Sequence, residues 1–175
     1  MLKKQPWLIP VFAALLALVI AGGVIIFFER THTAAPEPDA QAALASTTNT
    51  SVLAGLEATV YKSPTCGCCT GYVEFLREHG VTVTAVDTND LTQVKADYGI
   101  PAAAQSCHTT VVDGYVIEGH VPLAALEQFL SERPKVDGIA LPGMPIGTPG
   151  MPGPKTAPYE VLTLQDGQLA LYESF

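Results

Sequence analysis

The chain has 175 residues, 48% of them hydrophobic, which suffices for one ordinary core with appendages and leaves no room for two large domains. From Thr31 onward 6 Lys and Arg stand against 16 Asp and Glu, so nucleic acid is a poor partner for this surface. The acids are scattered rather than clustered and read as solubilising.

Trp7 to Phe28 runs without a charge, long enough to cross a bilayer as a helix of roughly 20 residues. Lys3 and Lys4 precede it, and the positive-inside rule keeps them cytoplasmic, which exports everything after Arg30. Residues 1–30 are therefore expected to form an N-terminal membrane anchor, with the rest periplasmic and held at the inner membrane. A cleaved signal peptide is the competing reading, although the apolar run exceeds the usual roughly 7–15 residues and Pro36 falls where cleavage after Ala35 would occur. Residues 31–54, rich in Ala, Thr and Pro, read as a flexible tether, and His32 within it as solvated.

The folded part, residues 55–175, opens with a β-prone run, Ala58 to Lys62, that ends at Ser63-Pro64. Cys66-Gly67-Cys68-Cys69 follows at once, a CxCC cluster holding three of the four cysteines. The C-x-x-C spacing of Cys66 and Cys69 places two sulfurs at the start of a helix, where backbone N–H groups and the helix dipole favour thiolate. That helix is expected from near Cys68 to His79, burying Tyr72, Val73, Phe75 and Leu76 and stopping at Gly80, with Gly71 as a weak point. His79 suits the dipole of the last turn. Val81 to Val86 alternates as a strand, and Leu91 to Tyr98 reads as a second helix stopped by Pro101.

Thr109 to Val112 and Tyr115 to Glu118 flank Asp113-Gly114, the pair preferred in a two-residue type I′ hairpin. Counting outward, Val112 faces Tyr115, Thr109 faces Glu118 and Cys107 faces His120. Directly opposed residues share a face of the sheet, so Cys107 and His120 should point the same way and His108 the other. Leu123 to Arg133 is an amphipathic helix ended by Pro134. A Pro/Gly/Met loop, residues 138–154, carries the small repeat Pro142-Gly143-Met144-Pro145 and Pro149-Gly150-Met151-Pro152, and residues 159–172 read as a terminal hairpin about Asp166-Gly167.

The order β-α-β-α-β-β-α with a C-terminal β-hairpin, its first strand running into a C-x-x-C helix, is an α/β, thioredoxin-like arrangement. The motifs around Cys66-Gly67-Cys68-Cys69, together with Ser106-Cys107-His108-Thr109, Gly114 to Pro122 and Gly138 to Pro145, resemble in the same order those of the CopG-like proteins, long catalogued as a domain of unknown function. The resemblance spans about Ala58 to Met151. It implies a thioredoxin-like fold, an exported location, a link to copper handling and an association with copper efflux or resistance proteins. Thr70-Gly71-Tyr72 departs from the Gly-Lys-Trp often found after the cysteines, and Thr110 stands where Ala is common. Neither departure removes a sulfur or a histidine.

Thioredoxin-like oxidoreductases usually carry a cis-proline before the third strand, where this chain has Cys107-His108, so a fourth soft ligand replaces an inert ring. Three cysteines in four residues do not suit a structural zinc site, which takes ligands from two separated knuckles. Adjacent Cys68 and Cys69 fit bridging between neighbouring ions better than a shared tetrahedron, and soft thiolates with imidazole nearby select Cu(I). The expected metal ligands are Cys66, Cys68, Cys69 and Cys107, with His120, His108, Met144 and Met151 as candidates beside them. Copper sequestration, delivery and redox conversion all need this set. A thiol-disulfide oxidoreductase using Cys66 and Cys69, and a purely structural Cys66–Cys69 disulfide, remain open alternatives.

Overall fold

The computed structural model of the protein describes residues 51–175. The N-terminal apolar stretch and most of the tether lie outside them. Among the described residues no helix is long and apolar enough to cross a membrane. Ser51 to Ala54, part of the tether in the sequence reading, is folded against the domain: Leu53 is buried in the core and the Ser51 hydroxyl donates to Glu127.

Among the described residues the elements run β1 (Glu57–Lys62), α1 (Gly67–Glu78), β2 (Thr82–Asp87), α2 (Leu91–Asp97), β3 (His108–Val112), β4 (Tyr115–Glu118), α3 (Leu123–Glu132), β5 (Gly138–Ala140), β6 (Glu160–Gln165) and β7 (Gln168–Ser174), with a 3₁₀ turn at Ala102–Ala104 before β3. The strands form one mixed sheet in the order β2-β1-β3-β4-β5-β6-β7. The pairs β1·β2 and β4·β5 are parallel and the others antiparallel.

Alternation along the strands divides the interior into two layers. Ile117 and Ile139 join Tyr72, Val73, Leu126 and Phe129 on the side of α1 and α3. Their neighbours Val116 and Ala140 instead join Ile100, Ala104 and Leu164 on the side of α2.

Both tight turns have the backbone expected of them, with positive φ at Asp113 and Gly114 and again at Asp166 and Gly167. The α1 helix closes in a Schellman motif: Val81 N–H donates to Leu76 O and Gly80 N–H to Arg77 O, Gly80 taking the left-handed conformation.

Gly138 to Ala140, expected as the start of the Pro/Gly/Met loop, instead forms β5, buried throughout, and splices the terminal hairpin into the sheet beside β4. Three residues are too few to show a period, and the strand begins with a glycine because any Cβ there would collide with the Val116 carbonyl.

Candidate metal centre

The end of β1 leads through Ser63-Pro64-Thr65 to Cys66, which is the N-cap of α1 and accepts a hydrogen bond at Sγ from the Cys69 N–H at 3.3 Å. The cap fixes the spacing of the cluster. Cys68 lies in the first turn, half-buried, and Cys69 is fully buried beneath it. Cys66 and Cys69 are joined as a disulfide, while Cys68 and Cys107 are free thiols. Cys68 Sγ lies 3.4 Å from Cys66 Sγ and 4.0 Å from Cys107 Sγ. All four sulfurs fall within 4.8 Å of one another, close to twice a metal–sulfur bond of about 2.3 Å. The expected convergence of Cys107 on the first helix is therefore met.

The hairpin count is right as far as the ladder runs, from Val112 opposite Tyr115 to Thr109 opposite Glu118. Beyond the ladder the expected contact of His120 with Cys107 is present, with Nε2 3.0 Å from its Sγ. The orientation expected for His108 is wrong. Its Nδ1 is 3.4 Å from the same sulfur, and its ring meets that of His120 edge-on at 4.7 Å between centroids. The reason is Gly119, whose φ of 80° interrupts the alternation between Glu118 and His120. Both imidazoles thus reach the α1 side and pack on the ring of Tyr72, at 4.5 and 5.6 Å. Cys107, His108 and His120 form a second set of ligand atoms that shares its sulfur with the first.

The loop between β5 and β6 closes over this corner. The Pro149 carbonyl accepts from His120 Nδ1 at 2.7 Å, which places the ring proton on Nδ1 and turns the Nε2 lone pair toward Cys107. Gly150 lies against the Cys68 carbonyl and the Tyr72 N–H, and its Cα would sit 3.1 Å from a Cβ on Gly71. Gly71 is thus a close contact of this loop, where a Cβ would need a few tenths of an ångström of give, as well as a weak helix former. Met151 is half-buried at the end of this turn, and Met144 stands about half exposed beside Gly143, whose carbonyl accepts the Ser106 hydroxyl.

Electrostatically the corner is built for neutral groups. Burial pushes the Cys107 thiol up to about 11, with Cys68 nearby adding to the shift. Burial drives His108 well below the usual imidazole range, aided by His120 and Lys95, and burial also lowers His120 against the opposing hydrogen bond it donates to the Pro149 carbonyl. His108 is fully buried, and its Nε2 has no hydrogen-bond partner. An unpaired buried polar atom costs about 1–3 kcal/mol. A cation at the sulfurs would relieve the first of these features, by favouring thiolate over thiol.

The family model described as "Protein of unknown function, DUF411" matches residues 104–151, the span from the 3₁₀ turn to the closing loop. Two solved structures, described as "Copper resistance protein copG- Form 2" and "Copper resistance protein copG- Form 1", are each 38% identical to this chain with a TM-score of 0.63. The matches cover 69% of this chain and 98% and 97% of theirs. No curated protein matches the sequence. With nearly the whole of those structures matched at that identity, and with the four sulfurs and two imidazoles gathered in one corner, the chain belongs to the CopG-like family.

Proposed function

We propose that this is an exported copper-handling protein, tethered at the inner membrane by its N-terminal segment, that takes Cu(I) as cargo on Cys66, Cys68, Cys69 and Cys107. The observation that carries the reading is the convergence of four sulfurs from two separate chain segments within 4.8 Å. Soft thiolates select Cu(I), and consecutive Cys68 and Cys69 suit bridging, so a thiolate-bridged site holding more than one ion is the arrangement proposed. His120 and His108 lie within reach of Cys107 as nitrogen ligands or as hydrogen-bond partners of its sulfur. We read the frame, β1-α1-β2-α2-β3-β4-α3 with the C-terminal strands added, as thioredoxin-like. The copper resistance proteins named among the similar structures support the choice of metal.

Loading all four sulfurs requires that the Cys66–Cys69 disulfide first take two electrons and two protons from a thiol donor. Anaerobic titration of reduced protein with Cu(I), followed by copper- and sulfur-edge absorption, tests the reading. More than one ion per chain and metal–sulfur distances of about 2.3 Å are expected.

A second reading is favoured by the disulfide itself: Cys66, half-buried at a helix N-terminus and paired with Cys69, has the placement of a thiol-disulfide exchange centre. Replacing Cys68 by Ser separates the two. Unchanged copper uptake in that variant, with disulfide reductase activity that Cys66→Ser abolishes, would establish exchange and remove the copper reading.

A further inference from the structure

On the far side of the sheet from the imidazoles, Glu118 and Lys95 form an ion pair at 2.5 Å, with side chains 0% and 5% exposed. The carboxylate is fully engaged. Oε1 accepts from Lys95 Nζ and, at 2.6 Å, from the backbone N–H of Ser106, while Oε2 accepts from the Thr109 hydroxyl at 2.6 Å. Lys95 Nζ also donates to Thr109 Oγ1 at 3.1 Å. One buried network thus links α2, β3 and β4 to the residue immediately before Cys107.

Stability alone is a weak reason for such a pair. Removing two charges from water costs several kcal/mol per ion, and apolar residues of similar volume often serve as well or better. Direction is what the pair adds. A charge-assisted hydrogen bond to one particular N–H fixes where the chain turns into β3. The other side of that turn is held by the Ser106 hydroxyl on the Gly143 carbonyl, and Gly119 lets Ser106 approach where any Cβ would come within 2.7 Å of its side chain. Ser106 is therefore gripped from both faces, and Cys107 is one peptide away. Cys107 is also the only sulfur of the cluster that does not come from the α1 segment, so its position rests on this turn rather than on the helix.

We infer that Glu118, neutralised and oriented by Lys95, is a positioning residue that sets Cys107 Sγ against the α1 sulfurs. The inference rests on the proposed Cu(I) site, and its test keeps the two apart. Cu(I) affinity is measured on the reduced full-length protein by competition with a chromophoric Cu(I) chelator. The variants are Cys107→Ser, the paired apolar swap Lys95→Met/Glu118→Leu, and all three substitutions together.

The paired swap is expected to remain folded and to weaken Cu(I) binding by about 10–100-fold, the range typical when a group supporting a ligand is lost. The triple variant is expected to bind no more weakly than Cys107→Ser alone, because the pair acts through that sulfur. A purely structural role would make the two losses multiply, and that result overturns the inference, as does a paired swap with undiminished affinity. If Cys107→Ser itself changes nothing, the copper site fails and the inference falls with it. Should the paired swap not fold, Glu118→Gln takes its place in the same cycle, with the same dependence on Cys107 expected.

Discussion

Replacing Gly150 by alanine tests whether the β5–β6 loop holds the corner shut. Gly150 has a φ of 79°, where an L side chain costs about 1–2 kcal/mol. The added Cβ would also strike the Cys68 carbonyl and come within 2.9 Å of Tyr72 N, both backbone atoms of α1 that cannot rotate away. Overpacking of this kind costs about 1–3 kcal/mol. Together the penalties reach about 2–5 kcal/mol, or a fall in Tm of about 6–25 °C if the loop stays docked. The loop has a way out, because lifting off α1 relieves both strains at the expense of the His120–Pro149 hydrogen bond. Two measurements catch either response: the thermal midpoint, and the ¹⁵N shifts of His120, which report whether Nδ1 still carries the proton. Gly71→Ala is the internal control. It meets only Gly150 Cα, at 3.1 Å, and regains about 1 kcal/mol of helix propensity, so it should change stability little. If Gly150→Ala keeps both the midpoint and the His120 tautomer, the loop is not seated on α1 as described.

Alkylation of the folded protein without reductant should label Cys68 and Cys107 and spare Cys66 and Cys69, with all four labelled after reduction; protection of Cys68 with Cys107 instead would contradict the pairing. Because burial holds the Cys107 thiol up to about 11, binding a cation there at neutral pH releases a proton, and apparent Cu(I) affinity should rise by about tenfold per pH unit for each proton displaced. The sign is fixed by the direction of the shift: below that value the thiol is the resting form, and raising pH removes the competing proton. Both site histidines are held below their usual range, so the ring ¹⁵N shifts of His108 and His120 should show no inflection near pH 6.5, and one found there would refute the account of their burial.

The site was legible where short-range geometry governs it. Asp113-Gly114 demands a two-residue turn, and that turn sets the register from Val112 opposite Tyr115 to Thr109 opposite Glu118. The C-x-x-C spacing likewise places Cys66 and Cys69 within bonding distance. What escaped depends on contacts distant in sequence. His120 is fixed by a carbonyl 29 residues away, and that carbonyl, on Pro149, is a backbone atom no motif can mark. Glu118 reads as one more surface acid until Lys95, 23 residues earlier, is found buried against it. The only signal available was a charged residue at a strand position between apolar neighbours. β5 was hidden for a different reason: being short and buried on both faces, it has no polar side to reveal its period.

Gly119 makes the hairpin sensitive to the number of residues it contains more than to their kind. Upstream of it, parity decides which wall a side chain joins: Ile117 enters the layer with Tyr72, and Glu118 joins Lys95. The left-handed step resets that parity, so the next side chain returns to the wall of Ile117. Substitutions within Gly114 to Pro122 change chemistry one position at a time. A single insertion between Glu118 and His120 would carry the imidazole toward the ion pair and away from the Cys107 sulfur. Length should therefore be the quantity this segment cannot vary, and a library of one-residue insertions, scored for copper retention, should show a sharp gap there while the loop from Lys155 to Pro158 accepts them.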